Sequence, residues 1–242
     1  MERFEIAGLK VDMECKYPLT VNRSRKFLCA LDETESADMT ICTTDEKIAE
    51  EKAKGAEFTL SDAEYMLLCA EFYAKLLRFN GMLIHSSAVE YKNKAYLFSA
   101  KSGVGKSTHT HLWLKYIENT KIINDDKPAV RIIDGKYIAF GTPFSGKTDE
   151  TVTYGVEIGA VVFIERAKEN RIEKLTSAEA LPLIMNQTLR PTASAEHMYI
   201  LLGFLDGFLR ETPVYRLYCD VSFDAVRTSF EELTGEKIEV QE

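Results

Sequence analysis

Between residues 65 and 79 the apolar positions Tyr65, Leu68, Phe72, Leu76 and Phe79 recur at helical spacing, which predicts a helix with one buried face. Glu71, Lys75 and Arg78 interrupt the run, so it reads as a core helix rather than a membrane span. Ser61-Asp62-Ala63-Glu64 has the form of a capping box and sets the predicted helix start. Strand patterns follow. Residues 81–91 and 95–99 flank Lys92-Asn93-Lys94, and residues 129–133 and 136–140 flank Asp134-Gly135, giving two predicted hairpins. Between them, 108–118 reads as a crossover helix with Leu112, Trp113, Tyr116 and Ile117 on its inner stripe. Residues 158–164 form an unbroken apolar run, the pattern of a buried strand. The last third predicts helices near 177–189 and 195–209 and a strand at 214–219. A final amphipathic helix is capped by Ser222, carries Val226, Phe230 and Leu233, and is closed by Gly235. Residues 1–57 are strand-like and irregular, with the charge-rich stretch 45–54 expected to be a solvated segment. The expected organisation is a strand-rich N-terminal region over 1–57 and a core over 58–242, joined in one compact unit.

Composition narrows the class. A chain of 242 residues, 45% of them hydrophobic, can bury a large core. A net charge of −8 and a pI near 5.2 argue against a general nucleic-acid or anionic-membrane surface. The five cysteines are scattered and contain no CxxC pair, as expected of reduced thiols in a cytoplasmic protein. The N-terminus has no signal-peptide core.

The chemistry begins where the apolar strand Ala95-Tyr96-Leu97-Phe98-Ser99 runs into Ala100-Lys101-Ser102-Gly103-Val104-Gly105-Lys106-Ser107-Thr108 and then a helix. Strand, glycine-rich turn, lysine, hydroxyl pair and helix in that order predict a phosphate-binding loop. Gly103 and Gly105 permit the close approach of backbone N–H groups to a polyphosphate. Lys106 would reach the β- and γ-phosphates and Ser107 would ligate Mg²⁺. Ala100 occupies the position where the usual pattern begins with glycine.

A second signal is Ile122-Ile123-Asn124-Asp125-Asp126-Lys127-Pro128. If the crossover helix returns this strand parallel to the one feeding the loop, the paired carboxylates emerge beside the phosphates. One could hold Mg²⁺ and the other orient or deprotonate an attacking hydroxyl. His85, in the strand before the loop, could serve as a metal ligand or a polar partner to phosphate. Lys147, in the loop Gly141-Thr142-Pro143-Phe144-Ser145-Gly146-Lys147, could neutralise charge on the transferred group or the substrate; a solvated surface lysine is the competing reading. His109 and His111 lie on different helical faces and cannot form a metal pair. Arg190, Glu165 and Arg166 are ambiguous from spacing alone.

The ordered series Ile84-His85-Ser86-Ser87-Ala88, Ser102-Gly103-Val104-Gly105-Lys106-Ser107-Thr108 and Asn124-Asp125-Asp126 resembles the HPr kinase/phosphorylase and phosphoenolpyruvate carboxykinase type of P-loop protein, over roughly residues 80–150. The resemblance implies an α/β, mixed-sheet P-loop fold of that type. It also implies that His85 and Asp126 contact divalent metal, that Ser107 binds the nucleotide's Mg²⁺ or Mn²⁺, and that Asp125 is the catalytic base. The chain is much shorter than a carboxykinase and carries Lys101 where HPr kinases usually carry an acidic residue, which counts against decarboxylation and against HPr as acceptor. The expected function is an ATP-dependent kinase acting on a hydroxyl, serine-like, of a protein, peptide or small molecule, with no nucleic-acid or membrane partner and homo-oligomerisation left open. A nucleotide-binding regulator or scaffold is the alternative, and a carboxykinase-like metabolic enzyme the third choice.

Overall fold

The structure, a computed structural model, describes residues 1–30, 35–190 and 194–238. The N-terminal part contains β1 (Glu2–Ile6), β2 (Leu9–Met13), α1 (Pro18–Ser24), β3 (Met39–Ile41) and α2 (Asp45–Ala53), and α3 (Leu60–Leu76) follows. β1 and β2 pair antiparallel, and β3 joins β2 in parallel. Alternate residues of this small sheet, Phe4, Ile6, Val11, Met13 and Ile41, pack on Leu68, Phe72 and Leu76 of α3, with Phe144 in the same cluster. The stretch expected to be solvated is the helix α2, capped by Thr44 and burying only Ile48. The capping box of α3 is Thr59 with Asp62, not Ser61 with Glu64. Glu64 is instead buried and accepts the backbone N–H groups of Lys16 (2.6 Å) and Tyr17 (3.0 Å), tying α3 to the start of α1.

The larger sheet is mixed. Its strands are β4 (Gly81–Leu83), β5 (Ser87–Tyr91), β6 (Lys94–Ser99), β7 (Lys121–Asn124), β8 (Ala129–Ile133), β9 (Lys136–Phe140), β10 (Gly155–Arg166), β11 (Arg171–Lys174) and β12 (Val214–Cys219). Their order is β4-β8-β9-β10-β6-β5-β7, with β12 on β10 and β11 on β12. One edge of β10 carries β6 in parallel; the other carries β9 at its start and β12 at its end. The helices α4 (Lys106–Tyr116), α5 (Ser177–Met185), α6 (Ala195–Glu211) and α7 (Phe223–Thr234) cover the sheet. Two-residue alternation divides the central strands between them. Leu97, Val161 and Phe163 pack with Ile184, Leu201, Leu205 and Phe208 of α5 and α6, whereas Tyr96, Phe98, Val162 and Ile164 pack with Trp113 of α4 and Val226 and Phe230 of α7. Burial on both faces explains why these strands read as unbroken apolar runs.

The predicted strand 81–91 is broken at Ile84-His85-Ser86. The N–H of His85 bonds the carbonyl of Gln187 (2.7 Å) and that of Ser86 bonds the carbonyl of Asp126 (3.1 Å), so the backbone leaves the ladder. β4 therefore pairs with β8 while β5 pairs with β6 and β7. Because β5 is antiparallel to both neighbours, β6 and β7 run the same way and end at one sheet edge. Among the described residues no helix is long and apolar enough to cross a membrane.

Candidate functional site

β6 ends at Ser99, whose hydroxyl donates to the carbonyl of His85 (2.8 Å). The chain then turns through the loop into α4, with Gly105 at the N-cap. Gly103 (φ 77°) and Gly105 (φ 127°) both adopt the left-handed half of backbone space, and an added Cβ at Gly103 would meet nothing within 4 Å. Backbone conformation, rather than crowding, requires glycine there. The N-terminal N–H groups of α4 leave the last turn of the loop electropositive. Lys106 lies half-buried with Nζ 3.4 Å from the carbonyl of Ala100, and burial lowers its pKa, partly offset by the charge of Asp126. Ser102, Gly103 and Thr108 are exposed, and Val104 and Ser107 are partly so.

Arg166, the last residue of β10, fastens the loop tip. Its Nε donates to the carbonyl of Val104 (2.9 Å) and its Nη2 to that of Gly103 (2.6 Å). Its position follows from the parallel pairing of β10 with β6, which brings the two strand ends to one edge. Two clefts flank this tip. One of about 330 Å³ lies toward α4 and the β12–α7 turn, lined by Thr108, Leu112, Arg166 and Asp220. The other, about 780 Å³, lies toward α5, lined by Lys101, Ser102, Glu165, Leu183, Asn186 and Gln187.

At the end of β7, buried Asn124 shapes the turn that holds the carboxylates. Its Oδ1 accepts the N–H groups of Asp126 (3.0 Å) and Lys127 (2.7 Å), and its Nδ2 donates to the carbonyl of Thr142 (3.1 Å). The two aspartates then face different surroundings. Asp125 is 5% exposed, and its carboxylate accepts the N–H of Gly146 and the hydroxyl of Thr148. Asp126 receives Nε2 of His85 at 2.9 Å and is paired with Lys127. Burial raises the Asp126 pKa, but His85 and Lys127 together outweigh it and hold the group at about 2.

The structure therefore brings Lys106, His85 and Asp126 to one sheet edge. Lys147 is exposed on the neighbouring loop between the two residues that Asp125 holds. His109 is a core residue: it lies against Phe98, its Nε2 is 3.0 Å from the hydroxyl of Ser229, and burial lowers its pKa to about 4. His111 instead meets Glu150 at 2.9 Å. Among the described residues no group of three or more His, Cys, Asp or Glu side chains converges on one point. Of the residues expected to ligate a divalent cation, Ser107 stands in the first turn of α4, while His85 and Asp126 are engaged with each other and Asp126 also with Lys127.

No protein-family model matches the chain, and no curated protein matches it. Among solved structures the chain is similar to the Hpr(Ser) kinase/phosphatase from Coxiella burnetii, with a TM-score of 0.37 and 8% identity over 63% of this chain and 93% of that one. A likeness of that size carries no argument about activity, which has to be argued from the side chains.

Proposed function

We propose that this chain is an ATP-dependent phosphotransferase, related to the HPr kinase type, that moves the γ-phosphoryl group to a hydroxyl. The observation that carries the reading is the convergence of a phosphate loop, at the N-terminus of α4, with the His85–Asp126 pair at the same sheet edge. Simple nucleotide storage needs the loop but not the carboxylate.

In this reading the loop amides and Lys106 hold the β- and γ-phosphates, and Arg166 keeps the loop tip in place from its carbonyl side. The smaller cleft beside Thr108 and Leu112 takes the nucleoside, and the larger one beside Ser102 and Gln187 takes the acceptor. Ser107, His85 and Asp126 would hold a divalent cation, which supplies charge neutralisation on the phosphates. The acceptor oxygen forms its bond to Pγ as the Pβ–O–Pγ bridge breaks, ADP leaves with the bridging electron pair, and the hydroxyl proton passes to carboxylate or solvent. A loose transition state asks for positioning and charge neutralisation more than for a strong base, which fits a carboxylate held at about pKa 2. Exposure separates the aspartates: Asp126, with 24% of its side chain exposed, meets the substrates, and Asp125 anchors the neighbouring loop.

The test is incubation with MgATP and a panel of serine peptides, free hydroxy amino acids and polyols, read by phosphorus NMR and mass spectrometry. The reading expects ADP and one phosphoester in equal amounts, lost in Asp126→Asn. ATP bound but never turned over, with any acceptor, would favour the regulator instead.

A further inference from the structure

The N-terminal region has no chemistry of its own in the sequence, yet α1 reaches the loop that Asp125 grips. Arg23 donates from Nη1 to the carbonyl of Ser145 and from Nη2 to that of Gly146, both at 2.7 Å. The hydroxyl of Tyr65 donates to the same Ser145 carbonyl at 2.7 Å, and the Arg23 guanidinium lies 5.0 Å from the Tyr65 ring centroid. The Ser145–Gly146 peptide is thus held at both ends. Its carbonyl takes two donors, one of them charged, while its N–H donates to Asp125. Hydrogen bonds in such a chain polarise one another, so a fixed, charged donor on the carbonyl strengthens the N–H that faces the carboxylate.

The support beneath Arg23 is equally specific. Buried Glu64, the residue before Tyr65, accepts the N–H groups of Lys16 and Tyr17 at the start of α1, and Ser61 accepts that of Leu19 at 3.1 Å. Helix α3 therefore seats α1 and presents Tyr65 in the same turn. Lys127, the partner of Asp126, also lies 5.8 Å from the Tyr65 ring centroid, which joins both aspartates to this contact. Lys26 reaches the carbonyls of Asp149 (3.3 Å) and Thr151 (3.4 Å) farther along the loop.

We propose that Arg23 is a positioning residue for the transfer site: it locks the Ser145–Gly146 peptide and thereby fixes Asp125 and the loop segment that displays Lys147. The activity part of this proposal rests on the phosphotransferase reading; the structural part stands without it. The fork is required because one guanidinium spans two successive carbonyls, which the single ammonium of lysine does not reproduce.

The experiment compares wild type with Arg23→Met, Arg23→Lys and Tyr65→Phe by hydrogen exchange across residues 142–150, by ATP affinity and by transfer kinetics. In Arg23→Met the Gly146 amide should exchange at least about 10-fold faster, with the β6 and β10 amides unchanged. The transfer rate should fall roughly 10- to 100-fold while ATP affinity stays within about 2-fold. Arg23→Lys should recover only part of both effects. Tyr65→Phe, which removes one hydroxyl and leaves the packing, should move exchange the same way by a smaller amount. Wild-type exchange at 142–150 in both Arg23→Met and Tyr65→Phe would overturn the proposal whether or not the protein transfers phosphate. Full rescue by Arg23→Lys, or a loss of ATP affinity as large as the loss of rate, would overturn it as well.

Discussion

Replacing Gly146 with alanine would put a Cβ 2.7 Å from Oδ2 and 2.8 Å from Oδ1 of Asp125. Gly146 is not among the glycines with positive φ, so the cost comes from that contact and not from the backbone. Something has to move. If the carboxylate turns away, it gives up the N–H of Gly146 and the hydroxyl of Thr148, each bond to a charged group contributing about 1.5–3 kcal/mol. If the loop moves instead, it gives up the fork from Arg23. Either route points to a loss of about 3 kcal/mol or more, which for a chain of this size lowers Tm by roughly 6–12 °C. The assay is a double-mutant cycle by urea unfolding with Asp125→Ala, which removes the obstructing carboxylate. In that background Gly146→Ala should cost under about 0.5 kcal/mol. Gly203→Ala is the control, since an added Cβ on the exposed face of α6 meets nothing within 4 Å and alanine there should stabilise by roughly 0.5–1 kcal/mol. Strict additivity of Gly146→Ala with Asp125→Ala would show that the Asp125 carboxylate is not what the added methyl group meets.

Three further outcomes are expected. Asp126 has its pKa lowered from 3.8 to about 2, so it contributes stability above pH 4 that fades as pH falls toward 2. The gap in unfolding free energy between wild type and Asp126→Asn, about 2 kcal/mol at pH 7, should narrow as pH falls below about 4 and close only below about pH 2; a gap independent of pH contradicts the pairing with His85 and Lys127. Arg166→Ala frees the carbonyls of Gly103 and Val104 and should weaken ATP binding about 10-fold with little change in Tm, checked by calorimetry and thermal unfolding; unchanged affinity removes Arg166 from the loop's support. Ser107→Ala should cut the tightening of ATP binding by Mg²⁺, and equal metal dependence in variant and wild type counts against its hydroxyl as a ligand.

Local signals made much of the fold readable in the sequence. The hairpin 129–133 with 136–140 is present as expected because Asp134 (φ 50°) and Gly135 (φ 77°) both take the positive φ that its two-residue turn demands. The strand at 214–219 and the helix between Ser222 and Gly235 were likewise bounded by their own caps and turns. The loop and the aspartate pair were legible as motifs, and their common edge followed from strand direction. What stayed hidden depends on distant partners. Nothing near His85 announces that its N–H goes to Gln187 rather than to a neighbouring strand. Glu64 fits a capping box in spacing, but from a buried position it accepts the amides of Lys16 and Tyr17 that lead into α1. Arg166 stands at the end of an apolar strand like any solvated arginine until the parallel pairing of β10 with β6 places it beside the loop. Arg23 bonds a peptide 122 residues away, and no period or motif records such a contact.

In the proposed reading the loop from Ser102 to Thr108 binds the phosphates of a nucleotide, and calorimetric titration of MgATP into wild type and Lys106→Ala tests it. Wild type should bind MgATP saturably and one-to-one, and Lys106→Ala should bind it at least about 10-fold more weakly with the same Tm, because the half-buried ammonium faces the loop and not the core. Absence of binding to the wild-type protein, or equal affinity in both, would contradict it.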